Sequence, residues 1–122
     1  NKLTDKVTIK GFIEEEEQNL LYQKAYAIII PAIVSMGSSG PLFHANSYGK
    51  CAIASKEGHF LEDIKNQETG ILTNNGRWDE AFAYAANNPQ QITKIEHNVA
   101  LKAGSRSPIK TARLYLDLYR SL

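Results

Sequence analysis

Residues 26–55 run Tyr26-Ala27-Ile28-Ile29-Ile30-Pro31, then Ala32-Ile33-Val34-Ser35-Met36-Gly37-Ser38-Ser39-Gly40-Pro41, then Leu42-Phe43-His44-Ala45-Asn46-Ser47-Tyr48-Gly49-Lys50, and finally Cys51-Ala52-Ile53-Ala54-Ser55. The first block is an apolar run stopped by proline, which is how a strand buried on both faces reads. The second is a loop of small residues. The third, Leu42 to Tyr48, has helical character and is closed by Gly49. The fourth is another buried strand. Strand, loop, helix and strand in that order predict a parallel pair joined by a crossover helix.

The flanking sequence extends the pattern. Val7-Thr8-Ile9-Lys10-Gly11 alternates apolar and polar residues and stops at glycine, predicting a short strand. Glu14 to Lys24 predicts a helix whose acidic first turn suits the helix dipole. Beyond Ser55, His59 to Ile64 reads as a short helix, Gly70 to Thr73 as a last short strand, and Asn74-Asn75-Gly76 as a turn. Asp79 to Ala86 and a segment opened by Pro89 read as helices, and Ser107-Pro108 opens a third that runs to the end. The expected fold is therefore α/β: a Rossmann-like parallel sheet of about four short strands flanked by helices, with a helical C-terminal tail, all in one domain spanning 1–122.

Composition narrows the function classes. Of 122 residues, 43% are hydrophobic and 22% charged, which suits one folded domain. Fourteen basic against thirteen acidic residues leave a net charge of +1, so no basic footprint points to nucleic acid. The single cysteine, Cys51, cannot form an internal disulfide and fits a reducing, cytoplasmic setting. No apolar run is long enough to span a bilayer, since the longest, Ala25 to Val34, contains Tyr26 and Pro31.

In an open α/β sheet, ligands sit beyond the carboxyl ends of the strands. The loop from Pro31 to Pro41 occupies such a position and leads into a helix N-terminus. Small residues admit close backbone approach, and free N–H groups with the helix dipole suit phosphate. Gly37, Ser38, Ser39 and Gly40 are the candidate diphosphate cradle. Glycine-rich turns also precede helices for steric reasons alone, and this loop carries neither a Gly-Lys-Ser ending nor a GxGxxG fingerprint. Ser35, Ser38 and Ser39 lack a Gly-x-Ser-x-Gly elbow, which weakens a hydrolase reading. The histidines have no zinc-ligand spacing, so no metal site is expected. A receiver-type signalling domain would need aspartates clustered at strand ends, and Asp5, Asp63, Asp79 and Asp117 lie elsewhere.

The order of these blocks resembles the second half of the donor-binding domain of group 1 (family 4-like) retaining glycosyltransferases of the GT-B fold. The resemblance rests on Val7 to Gly11, Leu20-Leu21-Tyr22, Ile28-Ile29-Ile30-Pro31, Gly37 to Ala45, Gly49-Lys50-Cys51-Ala52-Ile53-Ala54-Ser55, Gly58-His59-Phe60-Leu61-Glu62-Asp63-Ile64, Glu68-Thr69-Gly70-Ile71-Leu72 and the tail from Ala112 to Leu122. It implies a nucleotide-sugar donor held on the loop at Gly37, transfer of a hexose to an acceptor, and no separate cofactor. It also implies two glutamates eight positions apart, one by the sugar and one on the ribose. Those positions hold Met36 and His44 here. Met36 cannot accept a strong hydrogen bond, and a gap-filling role suits it. His44 can exchange hydrogen bonds with a ribose hydroxyl, or it is a helix residue packed beside Phe43. His59 and Glu62 are further rim candidates: the first is equally an exposed loop histidine, the second a helix-capping side chain.

The resemblance further implies that the first half of the donor domain and a facing acceptor domain complete the enzyme, with the chain inactive alone and cytoplasmic or peripheral to a membrane in its parent. Without that half, the Tyr26 strand is expected to have an open edge, covered either by the Val7 strand moving in to pair with it or by a second copy in a homodimer. Loss of both glutamates leaves an alternative: a degenerate, non-catalytic nucleotide-binding or protein-interaction module.

Overall fold

The computed structural model describes residues 6–32, 39–105, 116 and 118–121, with 103–105 described in backbone only. Eight elements alternate as expected: α1 (Glu15–Lys24), β1 (Ile28–Ile30), α2 (Gly40–Ser47), β2 (Ala52–Ser55), α3 (Phe60–Asp63), β3 (Ile71–Thr73), α4 (Trp78–Asn87) and α5 (Pro89–Ser105). The three strands form one parallel sheet in the order β1-β2-β3.

β2 is the centre, and all four of its residues are buried. Successive side chains of a strand face opposite sides, and the two faces here differ in size. Cys51, Ile53 and Ile71 join Ala81 and Ala85 of α4 and Ile92, Ile95 and Val99 of α5 in one cluster. The spacing of the α5 residues, three and then four apart, is one helical stripe. On the other face Ala52 and Ala54 meet Ile30, Leu42 and Ala45 of α2, Phe60 of α3 and Ile64. Alanines there let α2 lie close to the sheet. Burying each of the larger side chains contributes roughly 1.5–3 kcal/mol.

Local chemistry sets the helix ends. Gly49, at φ +67°, takes the left-handed conformation just after α2, which costs glycine little and other residues more. α4 starts one residue earlier than its acidic stretch suggests, at Trp78, whose ring is half-buried against the first cluster. Tyr26 ties the start of β1 to α4 by donating its hydroxyl to the Ala85 carbonyl at 2.7 Å.

The expected fourth strand does not form. Val7 to Lys10 makes no ladder, and Val7 and Ile9 are 60% and 94% exposed. A strand has no hydrogen bonds of its own and exists only beside a partner. The available edge offers little: Ile28 donates to Cys51 on the β2 side, so in a parallel ladder Ile29 turns its N–H and C=O outward, and Pro31 next along has no N–H. Among the described residues no strand pairs with that edge. Pairing between the Val7 segment and β1 is therefore corrected. The opposite edge, β3, is closed from within: the Asn66 side chain accepts the outward Leu72 N–H at 3.0 Å, and Asn66 bridges to Gly70.

The third helix expected from Ser107-Pro108 falls mostly outside the described residues; Leu116 and 118–120 are helical. No described helix is long and apolar enough to cross a membrane.

Candidate functional site

All three strands run the same way, so their carboxyl ends share one rim, where Ala32, Ser55 and Asn75 meet. The Ser55 hydroxyl, fully buried, accepts the Ala32 N–H at 2.7 Å and donates to Asn75 Oδ1 at 3.3 Å. Asn75 Nδ2 in turn donates to the Ala32 carbonyl at 3.2 Å. Beside them Thr73 donates its hydroxyl to the Arg77 carbonyl at 3.2 Å, fixing the turn after β3.

Gly37, Ser38 and Met36 lie outside the described residues. Ser39 and Gly40 are described, and they begin α2. Ser39 is its N-cap, and its hydroxyl accepts the Leu42 N–H at 3.2 Å. This is the standard side-chain cap of a helix start. Pro41, at the second helical position, has no N–H to give. With Leu42 satisfied by Ser39, the Gly40 N–H is the first-turn donor left without a protein partner among the described residues. No described atom lies within 4 Å of where a Cβ on Gly40 would stand, so packing does not demand glycine there and its backbone stays open to approach.

His44 follows on α2, exposed. Its ring centre lies 5.7 Å from that of Tyr22 and 5.9 Å from that of Phe43, edge-on to the latter. Tyr22 also stacks on Tyr48 at 5.7 Å. That aromatic group is how α1, which buries no residue fully, attaches to the body. Burial pushes the Tyr22 phenol above its ordinary pKa. His44 thus both packs beside Phe43 and presents an open ring.

His59 is half-buried at the N-cap of the four-residue α3, its ring 4.6 Å from Phe60. Glu62 is exposed on α3, which starts without a side-chain cap. It lines a shallow cleft of about 490 Å³ with Asp63, Lys65, Glu68, Lys94 and Lys102, among others. Neither Ser39, Gly40 nor His44 lines that cleft. Glu62 thus shares a cleft with lysines of α5, an association that sequence spacing does not reveal. His97 is exposed on α5. Cys51 is fully buried, and burial, with the Glu96 carboxylate second, pushes its thiol up to about 12. It packs as a small hydrophobe.

Sequence reasoning missed Ser55 and Asn75. Ser55 reads as the last residue of an apolar strand and Asn75 as part of a turn. The signal that could have found them is position alone, since Ser55 ends β2 and Asn75 lies two residues beyond β3, at the carboxyl ends of parallel strands.

Comparison with known proteins adds two findings. No curated protein matches the chain. The family described as glycosyl transferases group 1 matches residues 1–88. That span contains every described strand, the start of α2 and the Ala32–Ser55–Asn75 contacts, and it stops before α5 and the tail. An α/β domain with a parallel three-stranded sheet flanked by helices, matched over that span, is consistent with a partial Rossmann-like GT-B domain, and the chain belongs to the group 1 glycosyltransferases.

Proposed function

We propose that this chain supplies part of the donor-binding domain of a retaining GT-B glycosyltransferase and holds a nucleotide-sugar while a hexose passes to an acceptor bound elsewhere. The observation that carries the reading is the start of α2. It follows the carboxyl rim of a parallel sheet, its first turn is ordered by Ser39, and among the described residues nothing bonds the Gly40 N–H or crowds its Cα. A diphosphate there gains hydrogen bonds and the positive end of the helix dipole. The same groups stabilise the nucleoside diphosphate as it leaves.

Among the described residues one donor of the first turn is unpaired, because Pro41 lacks an N–H and Leu42 is used. The remaining donors come from Gly37, Ser38 and the Ser39 backbone. His44, one turn on, takes the ribose hydroxyls in place of a glutamate. His59, Met36 and Glu62 are secondary candidates. No cofactor or metal is required in this reading. Transfer needs the acceptor held against the anomeric carbon, so the first half of the donor domain and an acceptor domain are the implied partners, and this chain alone is inactive. The implied setting is cytoplasmic, or peripheral to a membrane in the parent protein.

The test is an amide-shift NMR titration with UDP-glucose, GDP-mannose and the free nucleotides. Shifts centred on residues 37–44 are expected, and His44→Ala should weaken binding about tenfold, the loss of one good hydrogen bond. One observation favours a second reading, a non-catalytic module: both family glutamate positions carry other residues, Met36 and His44. Silence at millimolar ligand, repeated in the full-length parent, would establish that reading instead.

A further inference from the structure

Asn75 is followed by Gly76, and no other asparagine of the chain precedes a glycine. The backbone nitrogen after such an asparagine is as uncrowded as a peptide nitrogen can be, because glycine has no Cβ. The pair sits on a tight turn just beyond β3. The Arg77 N–H donates to the Asn74 carbonyl at 3.0 Å, and Gly76 stands at φ +91° while Asn75 does not have a positive φ. A left-handed third residue alone marks a type II turn, which favours glycine there. Both Asn75 and Gly76 are exposed. Among the described residues nothing bonds the Gly76 N–H, and nothing lies within 4 Å of where a Cβ on Gly76 would stand.

The Asn75 side chain is the opposite: it is held at both ends. Its Oδ1 accepts the Ser55 hydroxyl at 3.3 Å, and its Nδ2 donates to the Ala32 carbonyl at 3.2 Å. Those partners are themselves fixed, since Ser55 is fully buried and accepts the Ala32 N–H at 2.7 Å. A free backbone nitrogen thus stands beside a clamped side-chain amide.

We propose that Asn75 is a deamidation site, with water as the co-reactant, and that the Ala32–Ser55–Asn75 ring sets its rate. The Gly76 nitrogen attacks Asn75 Cγ and gives its proton to water. The new N–C bond closes a succinimide, and the side-chain nitrogen takes a proton from water and leaves as ammonia. Water then adds to one of the two succinimide carbonyls and opens it, leaving aspartate or isoaspartate at position 75. One water is consumed and one ammonia released, with no change of oxidation state. The departing nitrogen is the one that donates to Ala32, so the folded chain reacts from the form in which that bond is broken. The product cannot close the ring again, because a carboxylate has no donor for the Ala32 carbonyl. It also adds an acid to a chain of fourteen basic and thirteen acidic residues, cancelling the net charge of +1. This site is independent of the donor reading above.

The test follows the wild-type chain at mildly alkaline pH, native in one sample and unfolded in urea in another, by peptide-mapping mass spectrometry against time. In the native sample Asn75 is expected to gain the mass of an NH₂-to-OH exchange before any other asparagine, as the intact protein moves by one negative charge on ion exchange. In urea the Asn75 reaction should run about tenfold faster, the effect of one to two ordinary hydrogen bonds. Another asparagine reacting ahead of Asn75 in the native chain would overturn the site. An Asn75 rate in urea equal to or below the native rate would overturn the control by the ring.

Discussion

At the scale of single residues, the chemistry follows from what each side chain is deprived of. Cys51 is deprived of water. Its thiol is raised from about 9 to about 12 by burial and then by the Glu96 carboxylate, so the folded chain holds its proton more firmly than the unfolded chain does. Folding stability from this group is fully present below pH 9 and falls as pH rises toward 12, by at most about 1.4 kcal/mol per pH unit. Urea denaturation at pH 8, 9 and 10 should therefore show a decline that Cys51→Ala lacks, after the other titrating groups cancel between the two proteins. As the chain's single cysteine, it should also react with a thiol reagent at pH 8 only at the rate of unfolding; rapid labelling of the native protein would contradict its burial. Gly40 is the opposite case. Its neighbours Pro41 and Leu42 have no N–H to spare, so among the described residues the first turn of α2 leaves one N–H unpaired rather than the two or three that a run of small residues suggests. Small-residue composition singles out Ser39 and Gly40 as candidates, but it says nothing about which N–H groups are already bonded.

At the scale of elements, the parallel strands and their helices were legible because each carries its own signal. β2 is apolar from Ala52 to Ala54, α5 repeats its apolar residues every three or four positions, and Gly49 and Pro89 mark helix ends. The strand at Val7 carried a signal too, a clean alternation, yet it does not form. Alternation states which face of a strand would be buried; it cannot supply the neighbouring backbone that makes a strand. Close approach between elements is equally invisible to pattern. Gly70 enters β3 where an added Cβ would meet Ile64 Cγ2 at 2.9 Å and the Ala52 carbonyl oxygen at 3.1 Å. Ile64 is buried and the Ala52 oxygen belongs to the central strand, so neither can withdraw freely. Gly70→Ala should cost about 1–3 kcal/mol, the usual range for overpacking, measured as a lowered urea midpoint. A change within about 0.5 kcal/mol, the usual range for surface substitutions, would mean that the turn from Asn66 to Gly70 shifts to make room.

At the scale of the whole molecule, the two edges of the sheet are treated differently. β3 is closed by the chain's own Asn66, whereas β1 leaves Ile29 40% exposed, with Tyr26 51% and Leu21 48% exposed in the same stretch of chain. An open strand edge with apolar side chains is a site for association. We expect this chain, studied alone, to self-associate through β1, with Ile29→Lys keeping it monomeric because a lysine on the edge must shed its hydration to pair. Sedimentation velocity across a hundredfold range of concentration decides the matter. A wild type that stays monomeric throughout would show that the three-residue strand is too short to recruit a partner.

Taken alone, the sequence determined the α/β class, the parallel strands and membership of the group 1 glycosyltransferases. These depend on hydrophobic periodicity, turn chemistry and the order of blocks, which are properties of neighbours along the chain. Only the tertiary structure decided that the Val7 segment makes no ladder, that Glu62 shares a cleft with Lys94 and Lys102, and that Ala32, Ser55 and Asn75 close a ring. Each of those depends on which distant backbone groups come within about 3 Å of one another, the reach of a hydrogen bond. Such short-range contacts between residues far apart in sequence arise only when the chain has packed.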